Sequence, residues 1–553
     1  MNRFLLLSLL AMTIFSSCKQ SKADSHEVAL SKSNGFVWGG ANVYFLLTDR
    51  FYNGDRSNDV NFERTLKTDT LRGFEGGDIK GITAKIKEGY FDDLGVNVIW
   101  FTPVVEQIHG IVDEGTGATY AYHGYWAKDW TALDPNFGTM TDLQELVNTA
   151  HSHGIRIMMD VVMNHTGPVT SQDPFWGDEW AIQSPTCTFK DYDSTVNCTL
   201  VDNLPDIKTA SEEEVELPSF LIAKWKKEKR YDQEMAELDD FFSKSKMAKT
   251  PRNYIIKWLT DYIRDFGIDA FRVDTVKHAD EDAWTALREQ ADIAFNDWKI
   301  ANPDQKLDDN PFYMLGEVYN YYINSGRYFN FGDKQVDYFA HGFDNLINFQ
   351  FKQDAKGSYE TMFKNYDSIL HKQLKGKSVL NYATSHDDGD PFDKQRKKPF
   401  ETATKLLLAP GLSQIYYGDE IARNLTIPKT KGDATLRSFM EWDSLNKPAK
   451  QKILTHWQKL GKFRRDHPAV GAGKHKMLSK KPYTFSRIYS DNNVDDKVVV
   501  GLDLPPGEKS LNVSTVFKEG TRLKDAYSGE KVAVKQGKVT LNSDFSIVLL
   551  EAY

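Results

Sequence analysis

The strongest constraint on the fold is a series of eight short apolar segments, each ending at polar residues and separated from the next by helix-like sequence. The segments are "NVYFLL", "VNVIWFTP", "IRIMMDVV", "GIDAFRVD", "FYMLGEV", the neighbourhood of "VDYFAHGF", "VLNYATSHD" and "SQIYYGDE". Eight strands that alternate with helices close into a parallel barrel. The series therefore predicts an α/β fold, a (β/α)8 TIM barrel, with functional side chains at the carboxyl ends of the strands.

One of the intervening helices has clear boundaries in the sequence. Thr250 and Pro251 are typical of a helix start, and Gly267 is typical of a helix end. Between them, "NYIIKWLTDYIRDF" places apolar residues on one helical face. The fourth predicted strand follows Gly267 directly, as a helix–strand repeat requires.

Two regions interrupt the alternation of strands and helices. Residues 165–249 hold a cysteine pair and a charged, helix-like stretch, and they predict an inserted domain after the third strand. Beyond residue 470, short β-like runs separated by Gly, Pro and Asn predict an antiparallel β-sandwich domain over 471–553. The barrel is then expected in two parts, residues 36–164 and 250–470.

The amino terminus has the features of a secretory signal. Arg3 precedes an apolar run that is too short to span a bilayer, and small residues follow it up to residue 17. Cys18 directly after them resembles the acylated cysteine of bacterial lipoproteins; an ordinary cleaved signal with an incidental cysteine is the alternative. Residues 18–35 are polar and read as a flexible tether. We expect an exported lipoprotein anchored at the outer membrane, with its periplasmic or surface face undecided.

Export would place the two remaining cysteines in an oxidising setting. Cys187 and Cys198 are an even pair in such a setting, which favours a disulfide; two free buried thiols are the alternative.

The formal net charge of −9 argues against a nucleic-acid partner, because phosphate binding requires a basic face.

Ionisable residues gather at the predicted strand ends. Arg272 and Asp274 are two residues apart and share one face of a strand, which alone indicates only a structural salt bridge. Glu317 and Asp387 follow other strands and make that interpretation less satisfactory. Crowded carboxyl groups separate in pKa, so one stays protonated while another ionises, as glycoside hydrolysis requires. The other members of this group are Asp160, His165, His278 and His386.

From Phe36 to its end the chain resembles the α-amylase family of glycoside hydrolases. The resemblance rests on blocks in the family's order: "AYHGYW", "DVVMNH", "LPDIK", "GIDAFRVDTVKH", "GEV" and "SHDD". The opening "FVWGGANVYFLLTDRFYNGD" and the segment "EQIHG" are similar to periplasmic α-amylases of Gram-negative bacteria. The resemblance implies a retaining α-1,4-glucan hydrolase acting on starch, glycogen-like polymers or maltodextrins.

The resemblance also implies roles for individual residues. Asp274 would be the nucleophile, Glu317 the general acid and then base, and Asp387 would hold sugar hydroxyls. Arg272 would keep Asp274 ionised and oriented. The remaining substrate-binding residues would be His123, Tyr125, Trp126, His165, Lys277, His278 and His386.

Calcium is the cofactor that the resemblance implies, at two places. A loop rich in oxygen donors would bind one ion, although an Asn/Gly/Asp turn is the plain alternative. A second ion would join the inserted domain to the barrel through Asn164, Asp206 and the His278 carbonyl. The ligands expected in the loop are Asn53, Asp55, Asn58, Asp59, Gly76 and Asp78.

The chain departs from the family pattern at three positions, Lys208, Ser385 and Ser413, and none of them removes a catalytic group. Two other functions remain open. A transglycosylase would hand the sugar to an acceptor, but cyclodextrin-forming relatives usually carry more carboxyl-terminal domains than this chain has room for. A glucan-capturing lipoprotein without catalysis would not need the intact acids.

Overall fold

The structure is a computed structural model, and it describes residues 35–491 and 493–553. The predicted signal segment, the acylated Cys18 and nearly all of the tether lie outside the described residues. Within the described ranges, no helix is long and apolar enough to cross a membrane.

Eight parallel strands close into a barrel, as predicted. Each strand pairs with its two neighbours in the order β1-β8-β7-β6-β5-β4-β3-β2. In the register of the sheet, Arg272 on β4 lies between Asp160 on β3 and Leu315 on β5. The strands are β1 (Asn42–Leu46), β2 (Val98–Phe101), β3 (Arg156–Val161), β4 (Ala270–Val273), β5 (Tyr313–Gly316), β6 (Asn345–Asn348), β7 (Ser378–Tyr382) and β8 (Leu412–Tyr416).

The sixth strand lies later in the chain than "VDYFAHGF" suggests. Val336 belongs to a short two-stranded ribbon, and β6 begins only at Asn345. Two of its four residues, Asn345 and Asn348, are fully buried, and Asn348 donates a hydrogen bond to the Asn381 side chain inside the barrel. Because these buried positions are polar, the strand lacks the apolar run on which the prediction depended.

The helix before β4 agrees with its predicted boundaries. It spans Pro251–Phe266, and Gly267 ends it in a left-handed conformation with φ 77°. A Cβ atom at Gly267 would lie 2.2 Å from the Trp298 ring, so only glycine fits there. The other helices around the barrel are Thr48–Phe51, Ile79–Lys87, Tyr90–Leu94, Met140–Ser152, Glu281–Ala301, Phe351–Asp354, Tyr359–His371, Pro399–Leu407, Pro448–Asp466 and Ala469–Ala472.

The inserted region carries three helices and a short ribbon. The charged stretch that reads as one helix forms two, Ser219–Lys227 and Tyr231–Ser245, and Lys229 between them has a positive φ of 63°. A shorter helix spans Asp193–Val196, next to the disulfide that joins Cys187 and Cys198. The ribbon pairs Ala181–Ile182 with Asp206–Ile207.

Tryptophan side chains hold the inserted region against the barrel. Trp258, on the helix Pro251–Phe266, lies within 6.2 to 6.4 Å of the ring centroids of Trp176, Trp180 and Trp225 from the insert. The centroid of the Trp130 ring also lies 6.3 Å from that of Trp258. All five are buried. Large aromatic rings bury the most apolar area per residue, so this cluster fixes the insert beside the carboxyl ends of the strands.

The carboxyl-terminal part is an antiparallel β domain, as predicted, with its own apolar core. Its main sheet has the order β9-β10-β11-β16-β13-β14, and β12 pairs with β15 in a second sheet. The strands are β9 (Lys474–Lys480), β10 (Tyr483–Asp491), β11 (Val494–Leu502), β12 (Gly507–Asn512), β13 (Arg522–Asp525), β14 (Lys531–Ala533), β15 (Lys538–Ser543) and β16 (Val548–Ala552).

Candidate active site

One guanidinium at the carboxyl end of the barrel contacts three carboxyl groups. Arg272 Nη1 donates to Asp274 Oδ1 at 2.7 Å and to Asp160 Oδ1 at 2.9 Å, and Nη2 lies 3.2 Å from Glu317 Oε2. The Arg272 side chain is 1% exposed. These residues sit at or just after the ends of β3, β4 and β5. The strand register thus brings together groups that are more than 150 residues apart in the chain.

Asp160 forms the floor of this cluster. Besides Arg272, its carboxylate accepts hydrogen bonds from Trp100 Nε1 at 3.0 Å and from the Tyr125 hydroxyl at 2.8 Å. Burial raises the pKa of Asp160, Arg272 opposes that rise, and Asp274 adds to it. With its partners inside the protein, Asp160 is placed to position Arg272 and Tyr125 rather than to touch a ligand.

Glu317 lies in an environment that favours its protonated form. Burial raises the pKa of the Glu317 carboxyl well above its ordinary value, against the attraction of Arg272, and Asp274 and Asp387 raise it further. The Thr275 backbone N–H donates to Glu317 Oε2 at 2.9 Å. Thr275 has φ 51°, a conformation that β-branched residues rarely adopt and that costs about 1–3 kcal/mol. The backbone turn after Asp274 therefore positions Glu317, which the sequence did not reveal.

Asp387 differs from Glu317 in its hydrogen bonds and in its exposure. Its side chain is 31% exposed, and its Oδ1 accepts from Ser385 Oγ at 2.9 Å and lies 3.8 Å from His386 Nδ1. Burial would raise the pKa of Asp387, but His386, the Ser385 hydrogen bond and Arg272 outweigh it and lower that pKa. Ser385, one of the departures from the family pattern, is thus a direct partner of a candidate catalytic carboxylate.

Several of the residues predicted to bind substrate form the wall of the site beside the carboxyl groups, and they differ in how exposed they are. Tyr125 is half-exposed and its ring stacks on His386 with centroids 5.4 Å apart. His123 accepts from the Tyr125 N–H at 3.0 Å, and His165 Nε2 lies 3.1 Å from the Tyr125 carbonyl oxygen. Trp126 is 4% exposed and packs edge-on behind His123, so it supports the wall rather than forming its open surface.

Burial keeps the histidines of the site neutral. It lowers the pKa of His386 and of His278 to about 4, and it lowers the pKa of His165 and, further, of His123. Neutral imidazoles at pH 7 can donate one hydrogen bond and accept another. The formal charge of the site is therefore set by Arg272 and the carboxyl groups.

Lys277 lies among three aromatic rings that the sequence did not bring together. Its ammonium is 5.4 Å from the centroid of Tyr319, 5.7 Å from Phe329 and 5.8 Å from Phe189. Tyr319 and Phe189 are exposed, at 42% and 53%. His278, beside Lys277, is buried, and its Nδ1 lies 3.0 Å from the Thr195 carbonyl oxygen of the insert. These residues form a half-open apolar rim around one cation.

The first predicted calcium loop has buried oxygen atoms that lack partners. Asn53 Nδ2 donates to Asp59 Oδ1 at 2.8 Å, and Asn53 Oδ1 and Asn58 Oδ1 are buried without a hydrogen bond in the described chain. A Cβ atom at Gly76 would lie 2.6 Å from Asp59 Oδ1. Such orphaned oxygens suit a hard cation.

Two of the six predicted loop ligands are already engaged. Asp55 accepts from Lys80 Nζ at 2.6 Å, and Asp78 caps the helix Ile79–Lys87 by accepting from the Gly81 N–H at 2.6 Å. Asp78 also accepts from the Gly54 and Asp55 N–H groups.

The second predicted calcium group also has a buried oxygen atom that lacks a hydrogen-bond partner. Asn164 Nδ2 donates to Asp206 Oδ1 at 2.8 Å, which leaves Asn164 Oδ1 buried and unpaired among the described residues. Burial raises the pKa of Asp206 well above its usual value, opposed only by that hydrogen bond. A divalent cation would relieve both conditions. Across the described residues, no group of three or more His, Cys, Asp or Glu side chains has a metal-binding arrangement. Each candidate site instead combines one carboxylate, Asp59 or Asp206, with amide and backbone carbonyl oxygens.

Comparison with known proteins gives a consistent result. Residues 45–465 match the family model described as alpha amylase, catalytic domain. The periplasmic alpha-amylase of Escherichia coli (strain K12) is 37% identical over 517 residues, which cover 83% of this chain and 72% of that protein. A cyclomaltodextrin glucanotransferase of Thermoanaerobacterium thermosulfurigenes is 26% identical over 497 residues, covering 87% of this chain and 62% of that protein.

Solved structures share the fold. The alpha-amylase of Geobacillus thermoleovorans complexed with acarbose has a TM-score of 0.65 at 22% identity, over 94% of this chain and 99% of that one. A cyclomaltodextrin glucanotransferase with a three-domain ABC distribution has a TM-score of 0.63 at 20% identity, over 93% of this chain and 99% of that one. This chain matches both of these structures over nearly their whole length, which shows that it shares their fold.

Proposed function

Because the chain belongs to the alpha-amylase family of glycoside hydrolases, we propose that it is a retaining α-1,4-glucan hydrolase that cleaves starch or maltodextrins through a covalent glycosyl-enzyme. The observation that carries the proposal is the shared contact of Arg272 with Asp274 and Glu317, together with the raised pKa of Glu317. Retaining hydrolysis requires one carboxylate and one protonated carboxyl group flanking the scissile bond.

In the first step, an Asp274 carboxylate oxygen attacks the anomeric carbon and the bond to the leaving oxygen breaks. Glu317 gives its proton to that oxygen, so the released chain leaves as a neutral alcohol. The contact at 2.7 Å from Arg272 keeps positive charge beside Asp274, which favours the ionised nucleophile.

In the second step, water attacks the anomeric carbon of the ester on Asp274. Glu317, now ionised, accepts a proton from that water, and the Asp274 carboxylate is released. Asp387 and the neutral His165 and His386 bind hydroxyl groups of the sugar. Two displacements at one carbon retain its configuration.

We further propose calcium as a structural cofactor at the two oxygen-rich groups. Asn53, Asn58, Asp59 and the Gly76 carbonyl would hold one ion, and Asn164, Asp206 and the His278 carbonyl the other. The metal would supply a fixed positive charge for carboxylates and amide oxygens that are otherwise poorly satisfied. The second ion would hold the inserted region beside Asp274 and Glu317.

Removal of calcium is expected to destabilise the chain. Anything that binds only the folded state stabilises it by mass action, so chelation lowers the melting temperature and added Ca²⁺ restores it. Asn164→Ala should lower the melting temperature of the calcium-loaded protein. It should also reduce the rise in melting temperature that added Ca²⁺ produces, because the second ion loses a ligand. Asn148→Ala, on an exposed helix face, is the matched control. Identical melting curves with and without chelator, and no Ca²⁺ by elemental analysis, would contradict the calcium proposal.

Hydrolysis is distinguished from transglycosylation by the products. A hydrolase releases one new reducing end for each bond cleaved and gives short linear products from amylose. A glucanotransferase gives cyclic or redistributed products with few new reducing ends. We expect linear maltodextrins, and their lengths will separate internal from terminal attack. Cyclic products as the main species would overturn the assignment in favour of the transferase, and an absence of any bond cleavage would favour a glucan-capturing protein.

The similarity to a periplasmic alpha-amylase supports export of this chain. We propose that Cys18 is acylated and that residues 18–35 tether the protein to a membrane. Mass measurement of the mature amino terminus tests this proposal: a diacylglyceryl adduct on Cys18 is expected, and an unmodified cysteine would contradict it.

A further inference from the structure

A large recess lies at the end of the barrel that faces away from the carboxylates. Its volume is about 1,120 Å³, and it is lined by Trp38, which precedes β1, and by Tyr313 and Ser378, the first residues of β5 and β7. Asp274 and Glu317 follow the last residues of their strands. The recess and the candidate active site therefore lie at opposite ends of the barrel. Strands β9 and β10 of the carboxyl-terminal domain complete the lining.

Three lysines without ion-pair partners surround this recess. Lys375 follows the helix Tyr359–His371, and Lys474 and Lys476 lie on β9; all three are exposed. None of them forms a salt bridge within residues 35–491 and 493–553. The fourth lysine of the lining, Lys377, differs because it lies 3.1 Å from Asp344. The lining holds four lysines and two carboxylates, Asp344 and Asp491, so it is net positive.

An apolar side chain lies beside these lysines on the same pair of strands. Ile488 on β10 is directly opposite Lys474, so the two side chains share one face of the sheet, and Ile488 is 43% exposed. Residues 471–553 carry 13 basic and 10 acidic residues, a net charge of +3, whereas the whole chain has −9. The lysines and the exposed Ile488 thus lie in a region that is net positive within a chain that is net negative.

The first described residues of the chain lie on this same side. Val37, Trp38 and Gly39 line the recess. Cys18 lies 17 residues before Gly35. Such a segment spans at most about 60 Å when fully extended, so a tether alone holds the protein near a membrane without fixing its orientation.

We propose that the basic face, defined as Lys375, Lys474 and Lys476 with Ile488, docks on the anionic phospholipid headgroups of a membrane. Basic side chains close to a negatively charged bilayer are attracted to it, and neighbouring apolar groups enter the headgroup region. The acidic remainder of the chain is repelled by the same surface, which selects one orientation.

Docking in this orientation has a consequence for the proposed reaction. The bilayer lies against the amino end of the barrel, and the cleft with Asp274 and Glu317 opens away from it. A polymeric glucan then reaches the carboxylates without meeting the membrane. The docking deepens the membrane association proposed above, but it does not depend on acylation, since the basic face would bind anionic vesicles by itself.

The test uses the full chain with vesicles of pure phosphatidylcholine and with vesicles that also contain phosphatidylglycerol. Hydrogen exchange is measured over residues 371–377 and 474–480. We expect protection of both segments with the anionic vesicles only, and its loss in 1 M salt, where the screening length is about 3 Å. If the chain is not acylated, it should still co-sediment with the anionic vesicles and not with the neutral ones. Acylation failure and docking failure are thus distinguishable.

The matched variants remove three lysines each. Each lysine close to an anionic membrane changes the affinity about fivefold. The triple variant Lys375→Gln, Lys474→Gln, Lys476→Gln should therefore lose the protection from exchange. Its salt-sensitive affinity for the anionic vesicles should fall at least about tenfold. Lys227→Gln, Lys229→Gln, Lys246→Gln, with three exposed lysines of the insert, should bind as the unaltered chain does. Both variants should hydrolyse soluble starch normally, which verifies folding. Equal protection on neutral and anionic vesicles, no protection on either, or equal loss in both triple variants would overturn the proposal.

Discussion

Replacing Glu317 with glutamine is expected to lower kcat/KM on starch by about 10²–10⁴-fold, because the leaving oxygen loses its proton donor. The loss should depend on the leaving group. An α-maltosyl fluoride needs no proton to release fluoride, so its first step should proceed nearly normally. The second step lacks its base, so the variant should release a burst of fluoride and then stall. Azide, which attacks without losing a proton, should restart turnover.

The control for this variant is Glu420→Gln. Glu420 is also fully buried, but it accepts hydrogen bonds from the Tyr44 and Tyr90 hydroxyls, away from Arg272. Its replacement should change stability without a burst and without azide rescue. A Glu317→Gln variant with starch hydrolysis within threefold of the unaltered chain would show that another group donates the proton.

The raised pKa of Glu317 also fixes the sign of the pH dependence. Because its pKa in the folded protein lies above that in the unfolded chain, the protonated acid is favoured, and kcat/KM should fall as pH rises through the folded-state pKa. The contribution of Glu317 to stability is full below its unfolded pKa and is lost as pH rises through its folded-state pKa.

Replacing Arg272 with methionine is expected to cost about 3–5 kcal/mol in the free energy of unfolding and nearly all activity. The substitution leaves Asp160, Asp274 and Glu317 buried without their shared cation, and an uncompensated buried charge is strongly destabilising. The pKa values of Asp160 and Glu317 should rise, because Arg272 lowers both in the unaltered chain, and Asp274 loses the cation that contacts its carboxylate. Arg272→Lys should recover part of the stability and little activity, because one ammonium cannot contact three carboxyl groups as a guanidinium does.

Arg264→Met provides the matched control for this loss. Arg264 is 35% exposed and pairs with Asp261 at 3.2 Å on the helix Pro251–Phe266. Exposed pairs of this kind contribute about 0–1 kcal/mol, so denaturant unfolding should distinguish the two arginines clearly. Equal, small losses for Arg264→Met and Arg272→Met would show that Arg272 is not the electrostatic centre of the site.

The sequence predicts the barrel well because its strands are continuous apolar runs that end at charged residues. It fails at β6, because two of the four strand residues are polar. Asn345 donates to the Tyr313 hydroxyl and Asn348 to the Asn381 side chain inside the barrel, so the apolar signal is missing. The pairing of Arg272 with Asp274 follows from strand periodicity alone. Its contacts with Asp160 and Glu317 depend on the register between strands, which local sequence does not specify.

Contacts made by loops were less accessible from the sequence. The rings around Lys277 come from the insert and from the segment after β5, which are about 130 residues apart. The left-handed Thr275, whose N–H positions Glu317, carries no sequence signal because glycine, asparagine and aspartate are the usual residues there. The resemblance implies that Trp126 lines the substrate site, but it packs behind His123, since its neighbours Ile108 and Leu204 form a small apolar core with it.

The most direct test of the proposed mechanism identifies the residue that carries the sugar in the covalent glycosyl-enzyme. The Glu317→Gln variant is incubated with α-maltosyl fluoride, quenched with acid during the stall, digested and examined by mass spectrometry. We predict a maltosyl ester on the Asp274 side chain, which azide removes as the α-maltosyl azide. An ester on Asp387 or Asp160, or turnover with no ester and a product of inverted configuration, would contradict the assignment of Asp274 as nucleophile.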